Sequence, residues 1–487
     1  MELGKVGSGL DITGIVTALV DAEVAPRNNA LTRRENDLRA DLSALGSLKS
    51  RLADLDSALE GLSTGADFDL LSIDSPAEVD VVQTGSPTVG NYSIEISKLA
   101  TSQVLASPAF TSSSTVVGTG TLTLEIGQPT YSSGVSGAYS GFVADASKTV
   151  SISIDSSNNT LAGIRDAINA STAEITASLV VDGNQTRLLF TADNTGAATA
   201  MSVSVDDDDG DDADGSNLSR LAYNVTAGFS NVSEARASQD ASFKLNGLDL
   251  TNSSNVISGL VDGLDVTLKK VTTSAETIVV QKDTAGIESK VVGFVNSYNS
   301  YQTTLTSLMD YTDAAGALAG DSTARRIQSS IRAATTGELV LSGNDYTMLS
   351  QVGISSDQYG KLSIDSSKFQ AALNANADHV KRFFAGATVT ANLSDNTDST
   401  GLADGIRNIL DTYINTSDGL LESREDRIDD ALSDIADDRA DILLRMTALE
   451  ERYTKQFTAM DTLISQLQGT SNFLTNQMDA IKAAANR

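Results

Sequence analysis

Both ends of the 487-residue chain carry leucine heptads, and these constrain the fold more than anything between them. Near the N-terminus Leu31, Leu38, Leu45, Leu52 and Leu59 recur every seven residues. From the third of these, Leu48, Leu55 and Leu62 fall three places later and fill the second seam position. Arg33, Arg34, Glu35, Lys49, Arg51 and Asp54 supply charged flanks. Such a repeat predicts a coiled-coil helix, because it presents one continuous apolar stripe to a partner. At about 1.5 Å per residue, Leu31 to Leu62 would be a rod of about 48 Å.

The C-terminus repeats the pattern over a longer span. One register holds Leu421, Ile428, Ile435, Ile442, Leu449, Gln456 and Leu463; the offset register holds Leu432, Arg439, Met446, Tyr453, Met460, Leu467 and Leu474. Gln456 and Arg439 interrupt an otherwise apolar seam. A polar seam residue either fixes register and partner number or marks a locally solvated stretch. Heptads at opposite ends of one chain suggest antiparallel pairing within the chain, with everything between looped out; a generic coiled-coil dimer is the alternative. The longer C-terminal helix needs its surplus apolar face covered by another part of the chain or by neighbouring subunits, which points toward assembly.

From about Ser75 the helical period gives way to alternation. Tyr92, Ile94 and Ile96 alternate with Ser93, Glu95 and Ser97, and the two-residue period returns at Leu122 to Ile126, Val150 to Ile154, Ile175 to Val181, Phe243 to Leu245, Val266 to Leu268 and Ile278 to Val280. Gly/Ser/Thr stretches such as Tyr131 to Gly141 separate them. This predicts antiparallel β structure from Ser75 to about Ala285 in two nested modules, interrupted by one helix with Leu161, Ile164 and Ile168 on a face and Thr160 as its cap. Helices return with Ile287, Val291, Phe294, Tyr298, Leu305 and Leu308, then with Ile327 and Ile331 behind caps at Asp321-Ser322-Thr323. Ile354 to Ile364 reads as a hairpin turning at Gly360, followed by a helix with Phe369 and Leu373 capped by Ser366 or Ser367.

The composition excludes several chemistries. There is no Cys, no Trp and one His (His379), which rules out thiolate metal sites, disulfide frameworks and thiol catalysis. A net charge of −30 repels nucleic acid and anionic lipid. No stretch reaches the roughly 18–20 apolar residues of a membrane span. The run from Ile12 to Val20 is broken by Thr13, Gly14 and Thr17 and does not read as a cleaved signal peptide. Residues 76–284 hold 24 acidic and 10 basic side chains, so nearly half the excess charge lies on the β modules, the region expected to face solvent.

Candidate sites are few. Asp206 to Asp214 invites calcium but fails the EF-hand pattern: with Gly210 at loop position six, Val205 stands at position one and Ser216 where a bidentate Glu is required. A loose calcium site and a solvated acidic loop both remain, the loop fitting better. His379 lacks a nearby nucleophile or second ligand, and no phosphate-binding or dinucleotide motif occurs, so no enzyme, cofactor or metal is expected. Arg325, Arg326 and Arg332 form a small basic patch, either ordinary helix-surface salt bridging or a contact to an acidic neighbouring subunit.

The two ends resemble the flagellar hook-associated protein 2 family, the bacterial filament caps. The resemblance rests on Gly7-Ser-Gly-Leu-Asp-Ile-Thr-Gly-Ile-Val-Thr-Ala-Leu-Val-Asp-Ala-Glu with Pro26 and Leu42 to Lys49, and on Glu451 to Asp461 and Gln466 to Leu474. Tyr92 to Ala100, Gln103, Asn246-Gly247, Phe294 to Asn299, Gly320 to Thr323, Val352 to Ile354 and Gly360 to Asp365 follow in the family's order, whereas Thr111 to Asp145 and Asp206 to Val225 resemble it least.

The resemblance implies an α+β multidomain protein. Its N- and C-terminal helices pair as a discontinuous coiled coil, with a helical domain and inserted antiparallel β-rich domains between them. The expected divisions are a terminal helical leg (1–40 with 445–487), a helix-rich coiled-coil domain (41–75 with 285–444), a β-rich domain (76–108 with 235–284) and an inserted outer β-rich domain (109–234). It implies a ring-shaped homo-oligomer at the distal filament tip, secreted by type III export, that holds and inserts flagellin. Flagellin, the hook-filament junction proteins and an export chaperone are its implied partners, without nucleic acid or membrane insertion. The intramolecular and flagellin-facing seam is expected at Leu31, Leu38, Leu45, Leu52, Leu59, Ile428, Ile435, Ile442, Leu449 and Leu463, with subunit contact at Arg325, Arg326 and Arg332. Another axial protein (flagellin or a junction protein), a cap with an added adhesin role, or a hydrolase are the competing readings.

Overall fold

A computed structural model describes residues 10–131, 139–212, 214–312, 316–339, 341, 343–386 and 400–485. Its α-helices are α1 (Ile12–Thr64), α2 (Leu161–Ala170), α3 (Thr284–Leu308), α4 (Ser322–Thr336), α5 (Ser366–Ala385), α6 (Leu402–Ile414) and α7 (Glu422–Ala485). The chain divides into two units, Met1–Leu70 with Asp283–Arg487, and Leu71–Lys282. The fold is α+β: terminal helices pair, and antiparallel sheets are inserted between them.

In the first unit α1 starts where the Asp11 carboxylate accepts from the Gly14 N–H at 3.0 Å. It runs through Pro26 without a break and stops at Gly65, whose φ of 76° is the left-handed cap conformation. A Cβ at Gly65 would also fall 2.6 Å from Lys381 Cε. Along the C-terminal half of α1, Leu45, Leu48, Leu52, Leu55, Leu59 and Leu62 are buried against Ile287, Val291, Phe294 and Tyr298 of α3, Ile327 and Ile331 of α4, Phe369 and Phe384 of α5, and Ile406 and Leu410 of α6. Full burial of each leucine is worth about 2 kcal/mol of transfer free energy, so this bundle fixes the unit. A separate small core joins Val16, Val20, Val24 and Leu31 to Ile435, Ile442 and Leu449.

Aspartates start the later helices. Asp283 accepts from Gly286 N–H at 2.8 Å and Asp321 from Ala324 N–H at 2.8 Å. The cap of α5 is Asp365, which accepts from Lys368 N–H at 3.1 Å; Ser366 and Ser367 are already inside the helix, so the serine cap expected there is corrected by one position. The hairpin of Ile354–Ser356 and Leu362–Ile364 turns through Gly360 at φ 84°.

In the second unit every strand pairing is antiparallel. A five-stranded sheet has the order Leu71–Asp74, Glu276–Lys282, Gly90–Lys98, Ala241–Leu245, Leu248–Asn252. With the three-stranded sheet Val256–Val261, Leu264–Leu268, Val79–Gln83 it encloses Val79, Ile94, Ile96, Phe243, Val266 and Ile278. Alternation is the cause: Ile94 and Ile96 are fully buried while Glu95 between them is exposed. A second core holds Leu122, Leu124, Ile126, Phe190, Met201 and Val203 under α2, whose Thr160 hydroxyl accepts from Gly163 N–H at 3.1 Å. Its main sheet carries the long strand Gly120–Tyr131 between Ala200–Asp207 and the strands Tyr139–Ala144 and Val150–Ile154. Of the Gly/Ser/Thr stretch from Tyr131 to Gly141, residues 132–138 lie outside the described residues.

The acidic run is not wholly a solvated loop. Asp206 and Asp207 finish a strand, and Asp207 is buried, accepting from Ser219 N–H at 2.9 Å. Asp212 accepts from Asp207 N–H at 2.8 Å, and Asp209 from Asp211 N–H at 3.0 Å. Asp214 accepts from Ser216 N–H and the Ser219 hydroxyl, each at 2.8 Å. Bonds from the Ser216 hydroxyl and N–H, and then from Ser219, hold the Asp214 carboxyl below the usual range. These carboxylates are engaged with their own backbone and hydroxyls, and among the described residues no group of three or more His, Asp or Glu could hold a metal ion.

Candidate functional site

The pairing of α1 with α7 is antiparallel. Lys49 donates to Glu425 at 2.7 Å and to Glu422, at the start of α7. Further along, Arg439 pairs with Glu35 at 2.7 Å and donates to Thr32 Oγ1 at 3.1 Å. Tyr453 donates to Glu23 at 2.8 Å. Bonds from Arg39, and then the charge and bond of Arg439, hold the Glu35 carboxyl below its ordinary range.

The heptad residues do not form one uniform seam. Leu31 packs with Ile435, Ile442 and Leu449 in the small core, and Leu38 is half-buried where the two cores meet. Leu45, Leu52 and Leu59 lie in the bundle core, which also takes in Ile428. Beyond Lys49 there is no α7 opposite α1, because α7 begins at Glu422; α3 and α6 cover Leu52 and Leu59 instead. Leu463, expected in the same seam, is 56% exposed. It stands level with the start of α1 at Ile12, so the described part of α1 offers it no cover.

The N-terminal residues that extend the seam were missed in the sequence. Val16, Val20 and Val24 step by four and then reach Leu31 by seven, a signal obscured by Gly14, Thr17 and Pro26. At the other end Met460, Leu463, Leu467, Leu474, Met478 and Ile481 continue the α7 stripe, each at least 41% exposed. From 464 to 485 that is about 33 Å of helix, and its apolar face is uncovered among the described residues.

On α4, Ala324, Ile327 and Ile331 face the core, while Arg325, Arg326 and Arg332 are exposed on the other side. Arg325 donates to the carbonyls of Gly320 (2.8 Å) and Asp321 (3.3 Å). None of the three is ion-paired to a carboxylate among the described residues, so the patch is not ordinary intrachain salt bridging. His379 Nδ1 lies 2.6 Å from the Asp345 carboxylate. No helix is long and apolar enough to cross a membrane among the described residues.

The family models for the flagellar hook-associated protein 2 N-terminus and C-terminus match residues 8–103 and 238–469. Flagellar hook-associated protein 2 of Escherichia coli K12 is 31% identical, with 97% of each chain covered. The B-type flagellar hook-associated protein 2 of Pseudomonas aeruginosa PAO1 is 28% identical over 97% of this chain and 96% of that protein. The crystal structure of the D1-D2-D3 domains of the flagellar cap protein FliD from Escherichia coli superposes with a TM-score of 0.57 at 29% identity, covering 79% of this chain and 99% of that one. The chain belongs to the flagellar hook-associated protein 2 family, the caps of the bacterial flagellar filament.

Proposed function

We propose that this chain is the cap at the distal end of the flagellar filament, outside the cell, where it promotes folding and insertion of exported flagellin and prevents loss of the subunits. The reading of its mechanism rests on one observation above the others: α7 outruns α1 and carries its apolar stripe beyond the helix pair. A helix of that length with an uncovered apolar face needs a partner. Flagellin's own helical ends are the partner we assign to the exposed stripe of Leu463, Leu467, Leu474, Met478 and Ile481, while Leu31, Leu38, Ile435, Ile442 and Leu449 hold α1 against α7. Weak leg contacts let the cap step as each subunit is added. Before export the same stripe would be shielded by a chaperone, and before the first flagellin is added the legs would meet the junction proteins.

In this reading residues 1–40 with 445–487 are the legs, and residues 41–75 with 285–444 make subunit contacts within a homo-oligomeric ring. Residues 76–108 with 235–284 and the inserted 109–234 form its acidic plate. The role is structural, without catalysis. Matches that run over 97% of the chain favour a cap over flagellin or a junction protein. Deleting residues 1–40 or 450–487 should leave the β-rich unit folded and abolish filament growth in motile cells. Normal filaments from either truncation would refute the mechanism.

A further inference from the structure

Two outward faces of the first unit carry opposite charges that form no ion pair among the described residues. On α4, Arg325, Arg326 and Arg332 lie opposite the buried Ala324, Ile327 and Ile331. The hairpin tip extends this face, since a Cβ on Gly360 would lie 4.0 Å from the Arg332 guanidinium carbon. Beside Gly360 stand Tyr359, 75% exposed, and the exposed Lys361. Arginine and tyrosine on one exposed surface is the composition of an interaction hot spot, because both bury large area with directed polar groups.

On α7, Asp430, Asp434, Asp437 and Asp441 occupy the face opposite Ile428, Ile435 and Ile442, all exposed and none ion-paired among the described residues. The spacings agree. Arg325 and Arg332 are seven residues apart, as are Asp430 and Asp437, and Asp434 and Asp441, so each pair spans about 10 Å along its helix. Two ion pairs can therefore form at once when the helices lie side by side.

We infer that the α4 arginine face with Tyr359 docks on the aspartate stripe of α7 in a second copy of this chain. The assignment rests on the ring reading above and names the surfaces that would join its subunits. Because the two faces differ, the contact is head-to-tail and repeats from copy to copy, which is the kind of interface that closes into a ring. Its charge complementarity sets register and encounter rate more than bulk affinity.

The test is a charge swap in the full chain, read by sedimentation velocity at low salt and at about 0.5 M salt. Arg325→Glu with Arg332→Glu, and separately Asp430→Arg with Asp437→Arg, should each weaken self-association about tenfold or more. The four changes combined in one chain should restore it. Unchanged melting of both double variants by circular dichroism separates a lost contact from a lost fold. Self-association that ignores both reversals, or that the combined swap fails to recover, overturns this contact while leaving the ring intact. A wild-type chain that stays monomeric overturns the ring reading as well. Lost filament growth with unchanged self-association would give the arginine face to another partner and overturn the proposal.

Discussion

Arg439 of α7 meets Glu35 of α1 at 2.7 Å inside a mostly apolar seam. Arg439 Nε is buried there with no acceptor among the described residues, and Glu35 has a second partner in Arg39 at 2.9 Å. Arg439→Leu therefore removes an unsatisfied donor, joins Ile435 to Ile442 in one apolar stripe and leaves Glu35 paired. It should stabilise the helix pair by about 1 kcal/mol in urea unfolding, while loosening the register that the polar residue specifies. A destabilised variant would show that the ion pair carries net stability.

Leu52 and Leu463 share a heptad pattern and should respond in opposite ways. Leu52→Ala opens a cavity in the bundle core and should cost about 3 kcal/mol. Leu463→Ala, at an exposed position, should change stability by no more than about 0.5 kcal/mol yet impair filament growth. Equal melting losses would place Leu463 in a packed core.

Tyr301 is fully buried, and among the described residues its hydroxyl has no hydrogen-bond partner. Burial, followed by the neighbouring Tyr298 and Tyr413, pushes that phenol far above its ordinary pKa. Tyr301→Phe should raise stability by about 1 kcal/mol, measured by denaturant titration at neutral pH.

The pH dependence follows from two opposed shifts. At Asp321 burial works to raise the carboxyl, but the Ala324 N–H and Arg424 outweigh it and hold the pKa below the ordinary 3.8. A depressed folded pKa gives stability that is present above 3.8 and lost as pH falls through the folded value. Bonds donated to Glu422 and Glu425 raise Lys49 above the ordinary 10.5, so its contribution is complete below 10.5 and lost as pH rises through the folded value. Helical stability should thus be nearly flat between about pH 5 and pH 10. Asp321→Asn should shallow the acid limb, and Lys49→Met the alkaline one.

The β-rich unit is one contiguous stretch, Leu71–Lys282, with two cores of its own. Expressed alone, residues 71–282 should give a cooperative thermal transition by near-ultraviolet circular dichroism. A fragment without fixed tertiary signal would show that the unit depends on the helices.

What could be read in the sequence follows from how local the cause is. Heptads and two-residue alternation report on one face of one element, so Leu31 to Leu62, Ile94 with Ile96, and α2 with its Thr160 cap were all legible. The division of the leucines between two cores was not, because it depends on where α7 begins. Helix α6 went unread although Leu402, Ala403, Ile406, Leu410 and Tyr413 mark a buried face, because a glycine, Gly401, stands in place of a side-chain cap. In the acidic run, composition shows many aspartates but not that Asp207 turns inward to hold Ser219.

The helix pair also sets an order of events. Lys49 must wait for Glu422 and Glu425, more than 370 residues later in the chain. The β strands find their partners within their own 212 residues. In a chain that emerges N-terminus first, the inserted sheets can mature while α1 still has a bare flank, and the base closes last. Closure of the helix pair then waits on residues out to Tyr453, so the two ends of the topology join only after the sheets between them are free to fold.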